Sequence, residues 1–134
     1  MHVVLQPSPS VAHKYRVLLP NKRALDFGQV DSRDYTDHGN PKIMRAHLLK
    51  RGAIIPNEVR AEINPYEIHR GMLYVEKSTE EDWEDPFRPG YWDRWLLWSY
   101  PTVTQAQLFM TMRKGILFMP TPESMWFADY YKKY

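Results

Sequence analysis

Four side chains lying close together in this sequence carry groups able to do chemistry: Asp34, Asp37, His38 and His47. A carboxylate and an imidazole can share a metal ion or work as an acid and base pair. The spacing of Asp34 and His38 is unspecific, and hydrogen-bonded structural or surface groups are the favoured reading over a metal site. Serines and threonines fall in caps and loops, which leaves no convincing nucleophile for His38 or His47. Cysteine is absent from the sequence, so disulfides and thiolate metal sites are excluded and a reducing compartment is expected. The sequence contains no P-loop, GxGxxG, GxSxG or HExxH motif. We therefore expect no enzyme, no cofactor and no metal. Only a clustered, perturbed pocket of His38, His47 and Asp34 would revive catalysis.

Two binding chemistries remain. Lys42, Arg45, Lys50 and Arg51 could grip phosphates, and the run Tyr130-Tyr131-Lys132-Lys133-Tyr134 interleaves cations with rings that stack on bases. The charge balance is mild, however: 18 basic against 16 acidic residues leave a net charge of +2, short of the strong basic field of non-specific DNA binding. Protein contact is the stronger expectation. Seven Met and 14 % aromatic residues exceed what one small core readily buries, and Trp, Tyr, Met and Arg are the types enriched at interfaces.

The elements that must position these groups centre on Tyr91 to Trp98, which reads Tyr-Trp-Asp-Arg-Trp-Leu-Leu-Trp. At roughly 25 cal/mol per Å² and about 150–250 Å² per large aromatic, each buried Trp supplies on the order of 4–6 kcal/mol of gross driving force. A helix over 90–100 that is apolar nearly all round is a buried one. Trp83 in the acidic loop before it, and Tyr91, Trp92, Trp95, Leu96 and Trp98 within it, are the expected core anchors, with Asp93 and Arg94 the helix's only charged members.

Around it the pattern predicts a β-hairpin. Tyr15, Val17 and Leu19 share one strand face, Asn21 to Arg23 turn the chain, and Leu25 and Phe27 return on the same side. Residues 42–51 read as a helix with Asn40 as N-cap, Pro41 in the first turn and Gly52 at C′. Ile43, Ala46 and Leu49 are expected to face its core. Residues 72–75 suggest a strand, and 116–119 another. A helix to Lys114 starts either at the Thr104/Gln107 capping box with a Val103–Leu108 staple, or at Thr102/Gln105.

The 134 residues fit one domain. Eleven prolines against six glycines predict short, interrupted elements. The expected fold is α+β: a hairpin packed against three short helices in a domain over 13–119. Residues 1–12, with the sequence Gln-Pro-Ser-Pro-Ser-Val at 6–11, read as an extended arm, and 120–134 as an aromatic tail. Val3, Leu5, Pro7 and Pro9 in the arm, and Trp126, Phe127, Tyr130, Tyr131 and Tyr134 in the tail, are the expected partner-binding residues. The opening Met-His-Val-Val-Leu is too short and uncharged for a signal peptide, and no apolar run reaches membrane-spanning length.

Lys14-Tyr15-Arg16-Val17, Asp26-Phe27-Gly28, Asp34-Tyr-Thr-Asp-His38, Arg45-Ala46-His47, Trp83-Glu-Asp-Pro86, Gly90 through Trp98, and Pro101-Thr102 succeed one another in this order. In this the chain resembles a family of small uncharacterised proteins of large nucleocytoplasmic DNA viruses. The likeness runs from Lys14 to Lys114, and residues 52–78 form an insert relative to shorter members. The resemblance implies no catalytic residues. It implies a viral origin, and with it a virion protein: a minor capsid or cement protein binding the major capsid protein and other minor capsid proteins, assembled in the host cytoplasm or nucleus. The alternative is a viral nucleic-acid-binding protein using the basic helix at 42–51.

Overall fold

The computed structural model describes residues 1–59 and 64–120. The domain is α+β, a four-stranded sheet in the order β3-β2-β1-β6 with helices packed against it. The predicted hairpin forms from β2 (His13–Leu18) and β3 (Ala24–Gln29), paired antiparallel with Tyr15 opposite Phe27 and Val17 opposite Leu25. Its inward side chains Val17, Leu19 and Phe27 are buried, as the two-residue alternation requires.

The N-terminal arm is corrected. Residues His2–Pro7 are strand β1, an internal member of the sheet, antiparallel to β2 and parallel to β6 (Leu117–Met119). Val3 lies in the core and Leu5 packs against it, so neither is free for a partner; Pro7, paired opposite Tyr15 at the end of β1, and Pro9 beyond the strand are exposed. Satisfying the backbone of β1 on both edges accounts for the difference, since pairing turns an extended segment into a ladder. The backbone nitrogen of Met1 also donates to the Gly115 carbonyl at 2.8 Å. The domain therefore begins with β1 rather than at residue 13.

Two helices come after the hairpin. Helix α1 (Tyr35–His38) is a single turn, and α2 (Pro41–Lys50) starts as expected, with the Asn40 side chain accepting from the Lys42 and Ile43 amides. Its buried face, however, is Met44 and Leu48, while Ile43, Ala46 and Leu49 are exposed. The reason is α3 (Pro65–Met72), which packs against α2 and draws the Met44–Leu48 edge inward. That helix lies in the insert and buries Ile68 and Met72, so the insert is part of the core. It also replaces the strand expected at 72–75: Asn64 caps it, Pro65 opens it, and residues 73–75 are a turn held by bonds to the Arg70, Gly71 and Met72 carbonyls. A two-residue ladder joins β4 (Ala53–Ile54) to β5 (Lys77–Ser78).

The tryptophan-rich segment is helical in two registers: α4 (Pro89–Trp92) passes into a π-helical turn, Asp93–Leu97. All six expected anchors are buried. Arg94 is buried with them, 1 % exposed, where a cation needs specific compensation. It donates to three backbone carbonyls, those of Trp98 at 2.8 Å, Met72 at 2.5 Å and Val75 at 3.1 Å. Its guanidinium lies 4.2 Å from the Trp95 ring centroid and 5.5 Å from that of Trp83. The indole N–H groups are matched too, Trp92 to the Pro86 carbonyl and Trp95 to the Trp83 carbonyl.

Helix α5 (Val103–Lys114) takes the earlier of the two starts. Thr102 is its N-cap, accepting from the Gln105 amide at 3.1 Å, and Gly115 ends it in the left-handed region. Leu108 is largely exposed, so the Val103–Leu108 staple does not form. Tail residues Trp126, Phe127, Tyr130, Tyr131 and Tyr134 lie outside the described residues.

Replacing Arg94 with Ala takes a donor from each of three carbonyls beside a cavity and is expected to cost about 3–5 kcal/mol of stability. Arg94→Lys should recover only a minor part, because one ammonium cannot span the same carbonyls in a plane. Urea unfolding monitored by Trp fluorescence checks both, and a loss under about 1 kcal/mol for Arg94→Ala would show that the arginine is dispensable.

Candidate functional site

A polar cleft of about 310 Å³ opens between the hairpin, the C-terminal half of α2 and the π-helical turn. Its walls include Lys14, Asp34, His47, Arg51, Glu81 and Asp93. It thus gathers Asp34 and His47 of the sequence-derived cluster and leaves His38 out of its lining.

The residues around Asp34 satisfy one another. Asp34 caps α1, accepting from the Thr36 amide and hydroxyl, while the Asp37 side chain accepts from the Asp34 amide, a reciprocal capping box. The Lys14 ammonium sits 2.7 Å from Asp34 and 2.9 Å from Asp37. Burial pulls the Lys14 pKa down, but the bonds to the two carboxylates outweigh it and hold the ammonium above its ordinary value. Those contacts with Lys14 in turn hold Asp37 below the usual carboxylate range. On the far strand, Arg16 and Ser8 donate to Asp26 and lower it to about 2. These groups staple β2, β3 and α1 together and leave little capacity for a ligand.

Asp93 and His47 are different. Asp93 accepts the Gly28 amide through one oxygen at 3.0 Å; burial, reinforced by the charge of Glu81, pushes its carboxyl up to about 6. Gly28 permits this approach: its φ is +78°, and a Cβ there would meet the Leu97 Cδ1 at 2.9 Å. His47 lies flat on Trp98, ring centroids 3.7 Å apart and 3° from parallel, and burial with the nearby charges of Arg51 and Lys50 lowers it to about 4. In the sequence Asp93 is visible only as a polar break in an apolar helix; nothing local indicates its Gly28 partner.

His38 and His69 serve structure. The His38 Nδ1 accepts the Asn40 amide, which fixes the tautomer with its proton on Nε2, a buried nitrogen without a hydrogen-bond partner among the described residues; the ring lies near those of Tyr35 and Trp98. The His69 Nδ1 shares a 2.9 Å hydrogen bond with the Tyr35 hydroxyl. Burial lowers both imidazoles, helped by Arg33 at His38 and by Arg94 at His69. Among the described residues no group of three His, Cys, Asp or Glu side chains is placed to hold a metal ion, and no helix is long and apolar enough to cross a membrane.

The cations of α2 do not form one stripe. At about 100° per residue, Lys42, Arg45, Lys50 and Arg51 are distributed around the helix, and Arg51 turns into the cleft beside Glu81 and Asp93. Lys42, Lys50 and Arg51 are exposed and Arg45 half-buried.

A second concavity, about 640 Å³, runs between the end of α3 and the outer face of α5. Tyr100 and Phe109, ring centroids 5.4 Å apart, line it together with Tyr74, Leu108 and Met112. These last three are 59 %, 61 % and 74 % exposed, so the groove presents apolar side chains to water, with Glu76 and Gln105 among its polar lining. Arg70 and Arg113 also line it and are exposed, while Lys114 pairs with Glu76 at 3.6 Å. Aromatic rings, Met and Arg around an open apolar floor match the composition of protein-docking surfaces.

The perturbed cleft groups give opposite pH dependences. Asp93 is raised from 3.8 to about 6, so the native state binds more protons than the unfolded chain between those values and its contribution to stability falls as pH rises. His47 is lowered from 6.5 to about 4, so the unfolded chain binds more protons there and stability falls as pH drops. Relative to wild type, Asp93→Asn should therefore steepen the loss of stability on acidification between pH 6 and 4, and His47→Gln should flatten it. Denaturant midpoints measured across that window check the pair; parallel curves for all three proteins would contradict the assigned shifts.

The chain is similar over residues 3–51, from β1 through the end of α2, to a family described as a family of unknown function, DUF5754. The matched stretch carries Lys14, Asp34, His47 and Arg51 of the cleft and none of the groove. No curated protein and no solved structure matches the chain.

Proposed function

We propose that this chain is a non-enzymatic structural protein of a virion, a minor capsid or cement protein, whose docking face is the groove between α3 and α5. The observation that carries the docking role is the exposure of Tyr74, Leu108 and Met112 over the Tyr100–Phe109 floor. On α5, Ala106 and Met110 bury one face, whereas Leu108 and Met112, two residues out of phase, present a second apolar face to water. The basic rim at Arg70 and Arg113 selects an apolar partner segment with acidic neighbours. The viral setting rests on the sequence resemblance, and the partners it supplies are capsid subunits. The non-enzymatic role is favoured by the cleft, where Asp34, Asp26 and Lys14 are engaged in internal ion pairs.

Co-sedimentation with capsid shells stripped of this protein tests the proposal. Wild type should pellet with shells, and Leu108→Asp/Met112→Asp should lose at least about tenfold in affinity, equivalent to about 1.4 kcal/mol, with an unchanged circular dichroism spectrum. Equal pelleting of both proteins, or of neither, would refute it. Retention on duplex DNA with a steep salt dependence would instead favour the nucleic-acid role.

A further inference from the structure

We infer that the α3–α5 groove of one molecule takes the acidic loop at 80–85 of a second copy of this chain. The inference rests on the groove being a protein-docking face, and it names the occupant. The loop reads Glu80-Glu-Asp-Trp-Glu-Asp85 and exposes Glu80, Asp82 and Glu84, with Trp83 buried beneath them. Backbone bonds hold it in shape: the Ser78 hydroxyl accepts the Glu80 and Glu81 amides while donating to the Arg51 carbonyl, and Asp85 accepts the Phe87 amide. Beside it Ile54 is 47 % exposed, on the wall of a shallow concavity shared with Lys77, Glu80, Asp82 and Glu84. Apart from Lys77, this patch is an apolar contact surrounded by carboxylates.

The groove is its complement, an apolar floor with Arg70 and Arg113 on its rim. Among the described residues Arg70, Arg113, Glu80 and Glu84 make no ion pair, and the pairs in this region are Lys114–Glu76 and Arg88–Asp85. Two patches of opposite sign, each with an exposed aliphatic group, thus sit on one molecule and are not matched with each other among the described residues. Every copy supplies both, in equal number. A contact between unlike patches is head-to-tail, so each molecule can hold one neighbour by its groove and another by its loop, running on as a row unless the rotation closes it. A groove of this size makes a modest interface, so the contact should depend on concentration and weaken with salt.

Sedimentation velocity and light scattering on the full chain test the assignment. At low ionic strength the wild-type mass should rise with concentration and return to monomer at high salt. Arg70→Gln/Arg113→Gln removes the groove's charge and Glu80→Gln/Glu84→Gln removes the loop's; each variant alone should be monomeric. Mixing them should restore association but stop it at a pair, because the first variant keeps its loop and the second keeps its groove. A wild-type monomer at every concentration would overturn the inference, as would a mixture that forms no pair or single variants that still associate. Shell binding lost in Leu108→Asp/Met112→Asp without any self-association would leave the docking face standing and remove the second copy as its occupant.

Discussion

The guanidinium of Arg94 is the constraint on which the rest of this structure depends. A buried cation is stable only when its charge and its donors are both answered, and here no carboxylate does so among the described residues. Instead the carbonyls of Met72, Val75 and Trp98 accept from its two terminal nitrogens, its Nε is buried without a partner among the described residues, and the Trp83 and Trp95 rings face the cation. Burial lowers its pKa and the charge of Glu76 opposes that shift, yet the group stays protonated at neutral pH. Two of the three carbonyls belong to the turn that ends α3, where orphan acceptors need partners in any case. One side chain therefore closes the end of α3, closes the π-helical turn at Trp98, and orders the indoles around it. The π-helical turn is consistent with this demand: an added residue rotates every later side chain about the helix axis, and the five residues Arg94 to Trp98 that result are all buried.

From that fixed centre the cleft and the groove inherit their positions. Asp93, next to Arg94, is thrust toward the hairpin and meets the Gly28 amide, which only a residue without a side chain allows at that distance from Leu97. Trp98, at the other end, supplies the plane on which His47 rests. Lys114 ties the groove to that centre, its ammonium 4.0 Å from the Trp95 centroid and within reach of Glu76. The cleft is thus a junction between hairpin, α2 and the tryptophan segment, and its perturbed groups record the desolvation of that junction. Opposed shifts at Asp93 and His47 also partly cancel between pH 4 and 6, so the junction tolerates acid better than His47 alone would permit.

What is legible in the sequence is local, and what it hides is long-range. The hairpin can be read because Tyr15, Val17, Leu25 and Phe27 alternate about a short turn, and the ends of α2 and α5 because Asn40, Thr102 and Gly115 act through neighbouring backbone. Strand β1 cannot: its Val-Val-Leu run is short, a Pro-Ser-Pro stretch comes after it, and one of its partners, β6, lies near residue 118. The buried face of α2 escapes the pattern because Ile43 and Leu49 compete with Met44 and Leu48 in hydrophobicity, and α3, packing from the insert, decides between them. Of the cleft, Asp34 and His47 can be named as chemistry-bearing residues, but the link that brings Asp93 beside them spans 65 residues. The π-helical turn has no signal of its own, since an apolar helix with one added residue keeps the same composition.

The groove raises a different question, why a well-packed small domain should leave Leu108 and Met112 in water. Fully burying a Leu or Met side chain yields about 1.5–3 kcal/mol, and the core shows no lack of means to do it, since the adjacent Ala106 and Met110 are completely covered. Scattered exposed apolar residues need no explanation, but these two are one turn apart on a helix, over a floor of two aromatic rings, with Tyr74 opposite. Helix α5 is apolar on two sides, and a helix patterned in that way is made to lie between two bodies. The tryptophan segment is one of them. On the docking role proposed above the second is the partner, and the charges at Arg70 and Arg113 define what its surface has to carry.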